Sequence, residues 1–457
     1  ASAIKGVGGE KTRSSKYSYF GRASYEYGGR YHLQASLRAD AADLSKLPLT
    51  NRWGYFPAVS AGWTLSEEKF FEDIRHKGNI DVIKIRGSWG QNGSLAALSG
   101  YPYSTDMSLG ALYPFLPGNN YITGSAPATM GNDKLKWETS EQLNFGIDAR
   151  FLRNRLSFSV DWFDKKTKDL LVNGTIPSLI IGGNTSPMNA GNVSNQGWEI
   201  EVGWRDHAGD FNYSINANVA TLKNKVTYLD PSIQRIGGTN FHTSTITYFE
   251  KGYPVYYFRG YKFAGLDENG NPTFADLDGS GTLNDGDITY IGDAIPDVTF
   301  GLTLTAAWKG FDLTVFGTGA AGNKVFNCIN RADFPQYNKL KEIFYDNRWT
   351  VDNPNGTVPR AGAANMDKYQ ISDAMVYDGS FFKIKQIQLG YVLPAKWLRT
   401  IRMSNLRVYV SLDDFFTFTK YPGFDPEVAV NATSGMGVDK GSYPSSKKLV
   451  LGASIQF

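Results

Sequence analysis

Cysteine is almost absent. Cys328 is the sole one in 457 residues, so no internal disulfide framework can form. Histidine is scarce too. His32, His76, His207 and His242 lie far apart, without HExxH, and no CxxC occurs, which excludes the usual zinc-ligand spacing. Lys and Arg number 47 against 44 Asp and Glu, a net charge of +3. A nucleic-acid-binding surface announces itself by a strong basic excess, and there is none. No run of about 18 apolar residues exists, so an α-helical membrane span is not available. Carboxylates are plentiful, but no spacing selects a catalytic pair and no nucleophile–base–acid set stands out. No enzyme is expected.

What the chain does have is aromatics (14%), glycine (49 residues) and an alternation of period two. A mass of 50.5 kDa fits about three ordinary domains or one very large all-β unit. Leu143, Phe145, Ile147, Ala149 and Phe151 interleave with Gln142, Asn144, Gly146, Asp148 and Arg150. The same pattern recurs at Leu156–Trp162, Trp198–Trp204, Phe211–Val219, Val298–Leu304 and Leu449–Phe457. A soluble β-sandwich also alternates. Long strands, polar faces rich in charges and amides, and Tyr and Trp at strand ends (Tyr17, Tyr19, Tyr25, Tyr27, Trp63, Trp89, Trp204, Trp308) favour a lipid-facing barrel. The expected fold is all-β: a transmembrane antiparallel β-barrel.

Fifteen strands are predicted, near 16–28, 30–39, 52–65, 81–91, 136–151, 154–166, 195–206, 210–225, 241–250, 254–264, 297–308, 310–320, 380–393, 405–418 and 446–457. Short or moderate connections alternate with mostly long ones, as periplasmic turns alternate with extracellular loops in outer-membrane barrels. That assignment places the C-terminus in the periplasm and the long loops outside. An odd strand count is unusual for a bacterial barrel, so residues 1–457 are expected to be the C-terminal part of one larger barrel, with a plug domain and N-terminal strands elsewhere.

Ordered blocks along nearly the whole chain carry a family resemblance. They include YFGRASYEYGGRYHLQASLRAD (19–40), NRWGYFPAVSAGWTLSEEKFF (51–71), IKIRGSWGQNG (83–93), LKWETSEQLNFGID (135–148), NRLSFSVDWFDKKTKDLL (154–171), KIKQIQLGYVLPAKWL (383–398) and NLRVYVSLDDFFTFTKYPGFDPE (405–427). Gly452, Ile455 and Phe457 also match the ending read by the barrel assembly machinery, although Val450 replaces a frequent polar residue. The chain resembles the C-terminal part of a SusC/RagA-type TonB-dependent outer-membrane transporter. The resemblance implies a 22-stranded plugged barrel in the outer membrane of a Gram-negative bacterium. It implies a SusD-like surface lipoprotein as lid, energy through TonB, import of oligosaccharides or peptides, and a dimer of transporter–lipoprotein units. The competing readings are a siderophore or vitamin receptor, a passive porin, and a soluble β-sandwich binding or adhesion protein.

Residues 276–287, DLDGSGTLNDGD, are spaced like a twelve-residue calcium loop. Asp276, Asp278 and Ser280 offer side-chain oxygens, Thr282 its carbonyl, and Asn284 and Asp287 complete the set. Ser280 and Asp287 depart from the usual Asp/Asn and Glu, and no amphipathic helix precedes the loop. The competing reading is an acidic solvated turn. GTGAAG (317–322) matches GxGxxG but follows an alternating strand, so it is read as a strand exit and not a dinucleotide site. Lys165, Lys166 and Lys168 are read as a solvated strand end, with contact to anionic outer-membrane lipid as the weaker alternative. Tyr113, Phe115, Tyr345, Trp349 and Tyr377 are aromatics for stacking on sugars, for packing loops or for meeting the lipoprotein. Cys328 is read as a bystander.

Overall fold

The computed structural model describes residues 14–116, 120–173, 184–329, 342–398, 403–427 and 434–456; Phe457 and the side chain of Phe115 lie outside what is described. One large antiparallel sheet dominates. Its strands are β1 (Tyr17–Tyr27), β2 (Tyr31–Ala41), β3 (Trp53–Thr64), β4 (Ile80–Ser94), β5 (Glu138–Phe151), β6 (Leu156–Asn173) and β7 (Pro187–Ala208). There follow β8 (Phe211–Thr221), β9 (Val298–Trp308), β10 (Phe311–Ala321), β11 (Phe381–Val392), β12 (Asn405–Thr419) and β13 (Lys448–Gln456). Each pairs with the next in chain order, so the sheet is a meander. Lys223–Leu229 continues β8 after a break and pairs with the N-terminal part of β7.

The alternation dictates what each face shows. Following paired residues across the ladder from β1 to β12 gives Tyr27, Tyr31, Trp63, Ile85, Ile147, Val160, Ile200, Val219, Phe300, Gly319, Phe382 and Phe418. That row is apolar at every step. The adjacent row, from β3, reads Thr64, Lys84, Asp148, Ser159, Glu201, Asn218, Gly301, Thr318, Lys383 and Thr417, on the opposite face. Strand pleating puts neighbours along a strand on opposite sides, so one register fixes both rows.

The apolar row starts in β1 and the polar row in β3, both at the strand ends beside the short connections, and both finish in β12 at the cap end. The strands therefore slant relative to the rows, as closure into a barrel requires. On the apolar face Leu33, Leu37, Val59, Phe145, Ile147, Ile215, Leu389, Leu451 and Ile455 are exposed in the isolated chain. Burying one such side chain contributes about 1.5–3 kcal/mol, and a contiguous exposed face of this kind marks a surface covered by lipid or protein.

Connections at one end are short or moderate. Arg153, Asn154 and their neighbour Leu152 all adopt left-handed backbone between β5 and β6, and Lys309-Gly310 does so between β9 and β10. Between β3 and β4 lies a short helix, α1 (Glu72–Lys77). The connections at the other end are mostly long and fold into a cap. That cap holds the buried hydrophobic clusters. One gathers Phe241, Ile246, Phe258, Phe326, Val358 and Met375; a second Ala42, Leu47, Leu95, Leu98, Leu135 and Leu171; a third Ala190, Val193, Val226, Leu229, Ile233 and Phe249.

Thirteen of the fifteen expected strands lie in the large sheet. The ninth and tenth, 241–250 and 254–264, do not. Thr247–Phe249 and Tyr257–Gly260 join Ile236–Gly237 and Thr289–Gly292 in a small separate sheet of the cap. The reason is burial. Ile246 with Thr247, and Tyr257 with Phe258, are neighbours buried on opposite faces of their segments, so these segments have no side to offer lipid. A hairpin of Asp106–Leu116 and Asn120–Met130, in a segment expected to be loop, also belongs to the cap end.

Candidate functional site

The polar face is built around ion pairs that span three strands. Arg86 on β4 is bidentate with Asp148 on β5, at 2.9 and 3.1 Å, and reaches past β5 to Asp161 on β6 at 2.5 and 2.6 Å. Ser159 donates to Asp148 at 2.9 Å. Gly146 is the middle-strand residue beneath this bridge, and a Cβ there would collide with Asp161 and Arg86. The arrangement recurs elsewhere. Arg407 on β12 binds Asp312 on β10 at 2.9 and 2.5 Å, with Gly390 of β11 beneath. A glycine on the central strand lets a guanidinium span two strand spacings, roughly 10 Å. Such fork-to-fork pairs fix orientation as well as charge.

The densest cluster lies where β11 and β12 enter the cap. Lys383 is 2% exposed and donates to Asp425 at 2.9 and 3.2 Å and to Glu427 at 2.5 Å. Lys385 reaches the same Glu427 at 2.6 Å and Asp414 at 3.3 Å. Here β11 and β12 fall out of register at a bulge, and Asp414 has φ 57°. Asp425, 4% exposed, also accepts from the Glu427 and Ser445 backbone N–H groups at 3.0 and 3.1 Å. One carboxylate thus ties both ends of the last long connection to each other and to the wall.

The expected calcium-loop residues come together. Carboxylate oxygens of Asp276, Asp278 and Asp287 lie within 4.8 Å of one another. The Asn284 amide donates to Asp278 (2.9 Å), Ser280 Oγ (2.9 Å) and the Thr282 carbonyl (3.1 Å). Asp287 is fully buried and accepts from the Leu277 and Asn284 N–H groups at 2.7 and 2.9 Å. The Asn284 amide, then the Ser280 hydroxyl and N–H, hold the Asp278 carboxyl down at about 2. An amide nitrogen gripped by three oxygens marks a centre of negative potential, and the oxygen-rich donor set fits a hard cation.

The other sequence features resolve structurally. Gly317 and Gly319 of the GxGxxG lie inside β10, where Gly319 leaves room for the Phe300 and Phe382 rings, stacked at 6.0 Å across it. Lys166 pairs with Asp164 at 2.9 Å and Lys168 with Glu141 at 2.6 Å, so two of the three lysines are neutralised. Trp349 packs over Gly270, and Tyr377 packs edge-on against Tyr421. Tyr113 donates to the Ser125 carbonyl, and Tyr345 is exposed. Cys328 is buried in the first cap cluster. Sequence reasoning did not single out Arg86, Arg407, Lys383 or Asp425. The available signal was a charged residue in phase with a glycine on the neighbouring strand, readable only once register is known.

A family described as TonB dependent receptor-like, beta-barrel matches residues 5–376. The chain belongs to this family. It is 30% identical, over 98% of its length, to the TonB-dependent receptor SusC of Bacteroides thetaiotaomicron, of which it covers 44%. It is also 30% identical, over 96% of its length, to TonB-dependent receptor P3 of Formosa agariphila, of which it covers 45%. Its fold matches the structure of the RagAB peptide transporter with a TM-score of 0.82, at 26% identity, covering 97% of this chain and 47% of that one. The chain thus spans about half the length of the relatives it matches. In a TonB-dependent outer-membrane barrel the apolar row faces lipid and the polar row lines the lumen.

Proposed function

We propose that this chain forms much of the barrel of an outer-membrane importer for oligosaccharides or peptides, energised through TonB and working with a SusD-like surface lipoprotein. The observation that carries this reading is the pair of rows on one ladder, one apolar and the other, Gly301 aside, bearing hydroxyls, amides and charges. In this reading a globular plug and further strands complete the transporter, and the transporter–lipoprotein units pair. The cap end faces outward and β13 ends in the periplasm. The chain is a transporter and carries out no catalysis.

The test is uptake of labelled oligosaccharides and peptides by cells with and without the gene, before and after the proton gradient is collapsed. Uptake that depends on both the gene and the gradient, with a lipidated partner co-purifying in detergent, supports the proposal. Gene-dependent uptake that survives collapse of the gradient makes the protein a passive pore and refutes it. Uptake of ferric siderophores or vitamins alone places it with ordinary TonB-dependent receptors.

We also propose that Asp276, Asp278, Ser280, Thr282, Asn284 and Asp287 hold a calcium ion that stiffens the cap. The support is the convergence of their oxygens and the matched loop spacing. Calcium added to metal-stripped protein should slow proteolysis within 276–287, and Asp276→Ala should abolish the effect. Equal cleavage with and without calcium rejects the site.

A further inference from the structure

At its cap end the apolar face gives way to lysines on one group of strands. Among the described strands of the large sheet, outward-facing lysines at that end occur only on β6 and on the continuation of β8. The outward side of β8 runs from Phe211 to Thr221, and its register with β7 carries Lys223 and Lys225 onto the same side. Ten residues of tilted strand between Phe211 and Thr221 rise about 25 Å, the height of a barrel's apolar band. Trp198, whose N–H donates to Thr221 Oγ1 and which pairs with Trp162 in the ladder, stands at the upper edge of that band. Tryptophan favours such an edge. Lys223 and Lys225 follow at about 5 and 10 Å above it, at the height of lipid headgroups.

Lys166 and Lys168, on β6, stand beside them. Lys166 and Lys225 are both ladder partners of Ser194, so they flank it roughly 10 Å apart. Asp164 holds Lys166 at 2.9 Å, and Glu141 holds Lys168 at 2.6 Å. Lys223 and Lys225 are exposed and have no acidic partner among the described residues. The patch therefore offers two free positive charges, continuous with a surface that lipid chains cover. A phosphate diester, the linkage of an ordinary phospholipid, brings a single negative charge. A phosphate monoester brings close to two at pH 7. A lipid with a phosphate monoester on its headgroup thus matches the patch in charge and in height, and its chains continue down the apolar face.

We propose that Lys223 and Lys225, with Lys166 and Lys168 beside them, bind the phosphate monoester of an outer-leaflet lipid. The proposal rests on the outward orientation of the cap and on no particular cargo. The test is native mass spectrometry of the intact transporter with its native partners, stripped of lipid in an uncharged detergent. It is titrated with phosphorylated lipid A, with the same lipid A dephosphorylated, and with dioleoylphosphatidylglycerol. The variants are Lys223→Gln/Lys225→Gln and, as control, Lys165→Gln, which neighbours Lys166 on the opposite face. All three lysines are exposed, so the changes spare the fold, and a heat-modifiability gel checks assembly.

Phosphorylated lipid A should bind more tightly than either other lipid. Lysines at an anionic lipid surface act nearly independently, so the double variant should bind it about thirtyfold more weakly, ~2 kcal/mol. Lys165→Gln should keep the wild-type affinity. Equal affinity in the double variant overturns the site, as does equal binding of the dephosphorylated lipid or of phosphatidylglycerol. A protein partner lost from the double variant, with lipid A binding unchanged, assigns the patch to that protein instead. Orientation is read separately, by labelling Tyr345→Cys in intact cells with a membrane-impermeant maleimide; Tyr345 is exposed in the cap, and the buried Cys328 sets the background. Labelling only after lysis overturns the outward cap, and the outer-leaflet lipid with it.

Discussion

Lys383 makes the sharpest test of how the cap is held to the barrel wall. Lys383→Met keeps the length and apolar stem of the side chain but removes its charge. Asp425 is then left 4% exposed without its cation. Removing one partner of a buried pair costs about 3–5 kcal/mol. Asp425 keeps the Glu427 and Ser445 N–H groups as donors, and Glu427 keeps Lys385, so the lower end applies, about 3 kcal/mol. At about 1.4 kcal/mol per decade, the equilibrium for lifting the 420–447 segment shifts about 100-fold.

Hydrogen exchange reads this shift directly, because local opening governs exchange of the bonded amides. The Glu427 and Ser445 amides should exchange about 100-fold faster in Lys383→Met, while amides in the β5–β6 ladder keep their protection. The double variant Lys383→Met/Asp425→Asn removes the stranded charge and should recover most of the loss. Unchanged protection at Glu427 and Ser445 in the single variant would refute the argument that this pair clamps the segment.

Three further outcomes follow. Ile215→Lys, on the apolar face near mid-strand, should destabilise the folded barrel by about 2–4 kcal/mol, whereas Asn216→Lys, one residue along on the polar face, should cost little; unfolding in detergent or lipid measures both, and equal effects would overturn the assignment of faces. Gly319→Ala sets a Cβ 2.5 Å from the Phe381 carbonyl oxygen and against the Phe300 ring. It should destabilise by about 1–3 kcal/mol, and a wild-type unfolding midpoint would count against the tight packing there. The Asp278 carboxyl is lowered from 3.8 to about 2, so its contribution to loop stability is present above about pH 4 and lost as pH falls toward 2. Amide-exchange protection within 276–287, corrected for the intrinsic pH dependence of exchange, should therefore fall only across that window, and loss of protection already at pH 6 would refute it.

The barrel was legible in the sequence because its code is simple. A strand with one face toward lipid and one toward water must alternate, and Leu143–Phe151 does so without interruption. The cap was not legible for the same reason. Ile246–Thr247 and Tyr257–Phe258 are buried on both sides, so period two cannot tell these cap strands from barrel strands. The hairpin at 106–130 is interrupted by Gly, Pro and Ser and gave no pattern to read. The convergence of oxygens in the 276–287 loop is legible because those residues are local in sequence. The Lys383–Asp425 clamp and the Arg86 bridge join residues 42 and 75 positions apart, and no single-sequence spacing reports such pairs.

The slant of the ladder has a further meaning for a solute. The polar row begins at Thr64, at the bottom of β3, and ends at Thr417, twelve residues above the start of β12. Twelve residues of slanted strand rise about 30 Å, which is the thickness of the hydrocarbon core. The row therefore winds around the wall like a staircase, with treads at Thr318, Asn218, Glu201, Ser159 and Asp148 on strands spaced about 4.8 Å apart, and with Gly301 as a gap between Thr318 and Asn218. In the importer proposed above, a solute moving along this wall would meet a hydrogen-bonding side chain on all but one of the strands from β4 to β10.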